Sequence, residues 1–217
     1  MPDILKGLWI TIQATFYGSL VAFALGLVWA LLLRSPSLPH ARTSSRGWYP
    51  LVTWPVSIVV EFIRNTPLLV QLFFLFFVLP GWGLTFAPLT TGVIGLGLHY
   101  STYTSEVYRA GIDGVPPGQW EAATALSLPR RRTWTAVILP QAFRRVVPAL
   151  GNYVIAMFKD TPLLAGITVA DMLFQANSIS ATTFDYLEPI TVVGILFVVI
   201  SYPTSLLLRA LERRLVR

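Results

Sequence analysis

Residues 7–33 carry no charged side chain. About 20 apolar residues of helix cross the hydrocarbon of a bilayer, where every backbone donor and acceptor must be bonded within the segment. Four more apolar runs follow, at about 51–79, 89–112, 147–169 and 190–208. The chain is 54% hydrophobic and only 12% charged, with mean hydropathy +0.65, against roughly 25% charged in soluble domains. The expected fold is an all-α integral membrane protein: one transmembrane domain over 1–217 with five spans. The first run outlasts a signal-peptide core of about 7–15 residues and no A-x-A-like site follows it, so it is expected to stay as a span. Inside the second run, "EFIRNTP" places Pro67 where it should kink the helix or end a first piece of it.

Net charge is +6. In a soluble chain that would suggest nucleic acid; here the basic residues gather in the segments between apolar runs, which encode membrane orientation. One side holds the N-terminus, the turn after the second run and the acidic or neutral segment 170–189 after the fourth, with Lys6 as its basic residue. The other holds Arg34, Arg42, Arg46, Arg130, Arg131, Arg132, Arg144, Arg145, Arg209, Arg213, Arg214 and Arg217. Twelve against one puts the N-terminus outside and the C-terminus in the cytoplasm. Trp48, Tyr49 and Trp54 then fall at the inner interface and Trp82 at the outer, as belt residues. An odd number of spans does not divide into two equal inverted repeats, no internal repeat is visible, and five helices are few for a transport path, so the working unit is expected to be an oligomer. Cysteine is absent, which excludes disulfides and thiolate metal sites.

The polar insertion at about 113–146, between spans three and four, needs a separate account. Positions 121–140 read EAATALSLPRRRTWTAVILP. Pro116 and Pro117 suit the first turn of a helix, "GQWEAATAL" favours helix, and Ser127 can cap a second helix with Pro129 in its first turn. Pro140 should end or bend that helix. The expected product is two short helices joined by a tight corner, with Trp120, Leu126, Trp134, Val137 and Leu139 as an apolar face. Such a pair can rest on anionic lipid or plug into a groove on another protein.

The same stretch resembles the EAA loop of bacterial ABC importer permeases: Glu121-Ala122-Ala123, then Leu139-Pro140 at the family's spacing. Val137 stands for the usual Ile. Ser127 stands for the usual Gly, whose freedom at positive φ serves the turn. "EFIRNTPLLVQLFFLFFVLP", "LGLHYSTYTSEVYRAGIDGVPPGQWEAA" and "ILPQAFRRVVPALGNYVIAMFKDTPLL" are similar to the polar amino-acid uptake branch of that family, over nearly the full chain. The tail "TTFDYLEPITVVGILFVVIS" most resembles subunits for ectoine and hydroxyectoine uptake. The resemblance implies a non-catalytic inner-membrane permease subunit, paired with an identical or paralogous permease. Two cytoplasmic ATPases using ATP and Mg would receive the loops, and an extracytoplasmic solute-binding protein would deliver substrate. Glu121, Ala122, Ala123, Ser127, Leu139 and Pro140 are its coupling residues, Glu121 orienting the loop through hydrogen bonds.

Charges inside a bilayer are costly and mark function. Glu61 and Arg64 at i, i+3 can pair on one face, as can Glu106, Arg109 and Asp113 along another; both read as structural ion networks. "MFKDTPLL" is the sharper case. Lys159 and Asp160 fall near mid-span, and Pro162 should free the carbonyl of Phe158. Broken helices with charges at mid-depth build substrate sites in transporters, and a zwitterion suits one cation and one anion. Lys159, Asp160, Thr161 and Glu106 are therefore the substrate-path candidates. His99 reads as a packed hydrogen-bonding group, and His40 is assigned nothing.

The chain has no G-x-x-x-x-G-K-[ST], so an ATP-driven transporter needs its ATPase elsewhere, and no HExxH or G-x-S-x-G points to an intramembrane enzyme. No metal or cofactor is expected on this chain. The alternative is an ion-coupled carrier or channel subunit without an ATPase, which leaves the insertion unexplained.

Overall fold

The computed structural model describes residues 2–33 and 49–215, and every regular element among them is helical. The expected loop with Arg34, His40, Arg42, Arg46 and Trp48 lies outside the described residues, as does Arg217. Helix α1 spans Pro2–Leu33. Its inward face is a ladder of small residues, Gly7, Thr11, Ala14, Gly18, Ala22, Gly26 and Ala30, while Trp9, Phe16, Leu20 and Leu31 point outward. A soluble helix buries its large side chains. Small inside and large outside is how helices pack when the surroundings are as apolar as the core.

The small face of α1 lies on α4, Pro88–Asp113. A Cβ on Gly26 would run into Thr104 Oγ1, so only glycine permits this approach. Thr104 Oγ1 donates to the Ala22 carbonyl at 2.9 Å and Tyr108 Oη to that of Phe23 at 3.3 Å. Gly18 faces Leu96 and Gly26 faces Ser101 and Thr104, so α1 and α4 run in the same direction. Thr91, Ser101, Thr102, Thr104 and Ser105 of α4 are fully buried. Ser101, Thr102 and Ser105 return their hydroxyls to carbonyls three residues back in the helix. Enclosed in this way, α4 does not need an apolar surface.

Between them lie α2, Tyr49–Asn65, and α3, Leu68–Phe73. α3 widens into a π turn, Phe74–Val78, and tightens into a 3₁₀ turn, Leu79–Trp82. Gly83 closes it at φ +83°. Pro67 ends α2 and the chain turns by 104°. The carbonyls left over at the break are not orphaned: Gln71 Nε2 donates to Ile63 O at 2.6 Å and Thr66 O at 2.9 Å.

After α4 come α5, Pro117–Ala125, and α6, Arg130–Arg132. A π turn, Thr133–Ile138, leads directly into α7, Leu139–Asp160. The expected second short helix therefore does not end at Pro140. Pro140 occupies the first turn of α7, and the widened turn before it accommodates its missing donor. α7 runs against α4, with Gly111 by Val146 and Gly92 by Leu164. Pro162 has no amide hydrogen to offer the Phe158 carbonyl. The chain tightens into a 3₁₀ helix, Thr161–Ile167, and Thr161 Oγ1 takes that carbonyl at 2.8 Å.

The segment read as a plain loop after span four holds α8, Met172–Thr183, capped by Asp171, whose Oδ1 accepts from Phe174 N at 2.8 Å. Asp before "MLFQANSISA" is a helix-start signal that the apolar-run reading passes over. α9, Leu187–Leu215, runs back along α7, with Phe158 against Phe197 and Gly151 against Leu208.

One core joins Ala14, Leu72, Leu96, Tyr100, Met157 and Leu164, and a second joins Ile4, Phe158, Met172, Ala176 and Val193. By length and composition, α1 and α9 can each cross a membrane. Leu51–Asn65 with Leu68–Trp82, and Arg130–Ile167 with Met172–Thr183, qualify as bent pairs, the second bent by 47°.

Candidate functional site: an exposed helix corner and a polar aromatic cluster

The α5–α6 corner is built on a small core of its own. Val115, Ile138 and Ala142 are buried, with Ile112, Trp120, Trp134 and Val137 packed on them. Trp120 and Trp134 meet edge to face at 5.3 Å between centroids, an arrangement aromatic quadrupoles favour. Gln141 Nε2 at the start of α7 donates to Gln119 Oε1 of α5 at 3.1 Å. The Arg145 guanidinium donates to the carbonyl of Gly114 just beyond α4.

The corner itself is a helix C-cap of Schellman type. Ser127 N donates to Thr124 O at 2.9 Å and Leu128 N to Ala123 O at 3.0 Å. Ser127 holds φ +49°. It does not cap α6, as expected from sequence; Pro129 takes the N-cap position with no side-chain bond. Ser127 instead adopts the left-handed conformation that favours glycine, at a cost of about 1 kcal/mol.

Of the residues assigned to coupling, Ala123 is buried, while Glu121, Ala122, Ser127, Leu139 and Pro140 are exposed. Leu126 is 73% exposed and Leu139 46%. These two leave the expected apolar face, whose other members, Trp120, Trp134 and Val137, pack on the core beneath the corner. Glu121 makes no hydrogen bond or ion pair among the described residues, so it does not orient the loop from within. Together with Leu139 and Pro140 it lines an open groove of about 1070 Å³ that reaches Leu27 and Leu31 of α1.

The second constellation lies deeper, where α2, α4 and α7 meet. Tyr100 Oη donates to Asp160 Oδ2 at 2.6 Å. The rings of Tyr100, Tyr103 and Tyr153 stand 5.9 to 6.2 Å apart, with His99 beside Tyr100 and Tyr103. Gln71 Nε2 contacts His99 Nδ1 at 3.1 Å, so His99 is a packed hydrogen-bonding group. The Arg64 guanidinium lies 5.7 Å from the Tyr103 centroid. It donates to Thr102 O at 2.8 Å and pairs with Glu106 at 3.3 Å and Glu61 at 3.6 Å. Its Nε is buried without a partner. Glu106 also pairs with Arg109 at 3.3 Å; Asp113 does not join this ladder among the described residues.

The substrate-path candidates thus divide. Asp160 and Glu106 stand at the two ends of one continuous array running Asp160, Tyr100, Tyr103, Arg64, Glu106. Thr161 is buried and occupied with the Phe158 carbonyl. Lys159 is exposed and points out of the packed interior, about 100° around the helix from Asp160. Sequence reasoning missed Tyr103, Tyr153 and Gln71, and gave Arg64 only an ion pair with Glu61. The available signal was the spacing Tyr100, Tyr103, Glu106, three residues apart on one face of α4.

Comparison with known proteins agrees with this architecture. Residues 41–217 match the family described as "Binding-protein-dependent transport system inner membrane component". The chain is 46% identical, over 98% of its own length and 87% of the relative's, to a "Probable amino-acid ABC transporter permease protein" of Sinorhizobium fredii (strain NBRC 101917 / NGR234). It is 36% identical to the L-cystine transport system permease protein TcyB of Bacillus subtilis (strain 168), over 100% of this chain and 88% of that one. A solved structure described as an amino acid ABC transporter with histidines superposes with TM-score 0.86 at 35% identity, covering 98% of this chain and 94% of that one.

Proposed function

Because the chain belongs to the family of binding-protein-dependent transport system inner membrane components, we propose that it is the permease subunit of an ATP-driven importer for polar amino acids or related zwitterions. ATP and Mg are used by two separate cytoplasmic ATPases, a second permease completes the path, and an extracytoplasmic binding protein delivers the solute. The chain crosses five times with its N-terminus outside. The parallel course of α1 and α4, the opposite course of α7 and the return of α9 support this count, with α2 and α3 together as the second crossing. The basic ends Arg130–Arg132 and Arg209, Arg213 and Arg214 support the orientation.

The observation that carries the coupling role is the α5–α6 corner. Its core is satisfied internally, yet Glu121, Ala122, Leu126 and Leu139 face outward. A preformed projection of this kind loses little on docking. ATPase closure would move it as a unit and bias the helices between outward and inward packings. The array from Asp160 to Glu106 lies along α4, which α7 carries directly from the corner, and we assign the solute path to it. The narrower choice of ectoine or hydroxyectoine rests on the tail sequence alone. An ion-coupled carrier without an ATPase would leave the corner without a partner.

The test is ATP hydrolysis by the assembled complex in nanodiscs, with binding protein and cystine, arginine, glutamine, ectoine or hydroxyectoine added in turn. Stimulation by one solute names the substrate. An assembled complex that no solute stimulates would count against the importer.

A further inference from the structure

The turn between α8 and α9 is exposed without a break from residue 181 to residue 188. Phe184 is 90% exposed, Leu187 78% and Tyr186 60%. Phe184 also holds φ +55°, ψ 21°, a left-handed conformation that glycine adopts freely and a bulky aromatic does not. The turn is nonetheless fixed. Leu187 N donates to Asp185 Oδ1 at 2.8 Å, Asp185 N to Thr183 Oγ1 at 3.4 Å, and Thr183 Oγ1 to Ile179 O at 3.0 Å. A strained aromatic held out by a rigid turn calls for an explanation outside the chain's own packing.

Its position narrows the choice. Ile4 at the start of α1 packs with Ala176 of α8 and Val193 of α9, so the turn lies at the N-terminal end of the molecule. Arg209, Arg213 and Arg214 lie at the far end of α9, roughly 40 Å away at 1.5 Å per residue. The ATPases belong to that basic end and cannot reach the turn. Asp185 lies between Phe184 and Tyr186, and Glu188 follows Leu187; two carboxylates set among the apolar residues oppose burial in lipid. They equally oppose a second copy of the same turn across a two-fold axis, where like charges would meet.

We propose that Phe184, Tyr186 and Leu187, with Asp185 between the first two and Glu188 after the last, form the docking surface for the extracytoplasmic solute-binding protein, fitting an apolar hollow with basic groups beside it. This rests on the orientation given under the proposed function. The chain has no cysteine, so Phe184→Cys gives a single reporter. In the complete transporter, an impermeant maleimide should label it from the outer side, and added binding protein should slow labelling at least fivefold. In a parallel assay the ratio of stimulated to unstimulated ATP hydrolysis is followed against binding-protein concentration. Phe184→Ala should raise the half-stimulating concentration tenfold or more. Phe184→Gly, which relieves the backbone, should raise it as much, separating lost contact from misfolding. Outer labelling that binding protein leaves unchanged, with an unshifted half-stimulating concentration, overturns the inference and leaves the orientation standing. Quenching of Phe184→Trp fluorescence by brominated lipid also overturns it, in favour of a lipid anchor. Labelling from the cytoplasmic side alone overturns the orientation together with the inference, while solute-stimulated hydrolysis would still stand or fall by itself.

Discussion

The α5–α6 corner and the Asp160–Glu106 array are opposite kinds of site. The corner is one contiguous stretch whose core, turn and outward residues lie within about 30 positions. The array draws on α2, α3, α4 and α7, and its members touch because helices far apart in sequence pack together. The corner holds exposed residues on a core that is packed internally, the surface proposed for docking. The array is a polar seam along α4 in which Tyr100 donates to Asp160 at one end and Arg64 pairs with the exposed Glu106 at the other. A local motif can therefore be carried between proteins as a unit, whereas a seam depends on every contact that sets helix spacing. That difference fixes where substitutions should act and on which step.

The largest effect should come at the corner. Glu121→Lys reverses the one free carboxylate on α5 and should reduce uptake to background, with membrane insertion unchanged by fractionation. A correctly inserted Glu121→Lys permease that transports normally would break the coupling role. Next comes the seam. Asp160→Asn removes the charge that Tyr100 donates to. A hydrogen bond to a charged group is worth about 1.5–3 kcal/mol, so uptake at low solute should fall roughly tenfold or more. ATPase subunits should still co-purify, and loss of the complex instead would mean that the two regions are not separable.

Gly26→Ala tests the helix spacing beneath both. The added methyl meets Thr104, and overpacking of this kind costs about 1–3 kcal/mol. The detergent-solubilised subunit should lose thermal stability, and the loss should shrink when Thr104→Ala is added. Ser127→Gly should have the smallest effect. It removes the left-handed strain at the corner, so stability should rise by about 0.5–1 kcal/mol with uptake unchanged. A sharp loss of transport in Ser127→Gly would mean that the hydroxyl itself contacts the ATPase.

Much of this molecule was legible in its sequence. The long uncharged run of α1 and the break at Pro67 follow from composition and proline chemistry. The conformation of Ser127 was not legible, because sequence gives a residue's preference and tertiary context overrode it. Pro140 was read as a stop; a π turn placed it at a helix start instead. α8 was hidden because a search for long apolar runs overlooks a 12-residue helix. The seam was half legible. Asp160 and Glu106 stood out as charges in apolar runs, but Arg64, Tyr103 and Tyr153 join them only through packing. Lys159 stood out equally and faces away, since the phase of a helix is set by its neighbours.

The most direct test is a disulfide between Leu126→Cys and a cysteine introduced into the docking groove of the ATPase, in an otherwise cysteine-free permease. The account expects rapid cross-linking in the assembled transporter, a yield that changes when ATP is added, and uptake that stops on oxidation and returns on reduction. A Leu126→Cys that stays fully open to maleimide in the intact complex and never cross-links would contradict it. The corner would then be a membrane-surface element, and the link between ATP hydrolysis and the seam would have to run elsewhere.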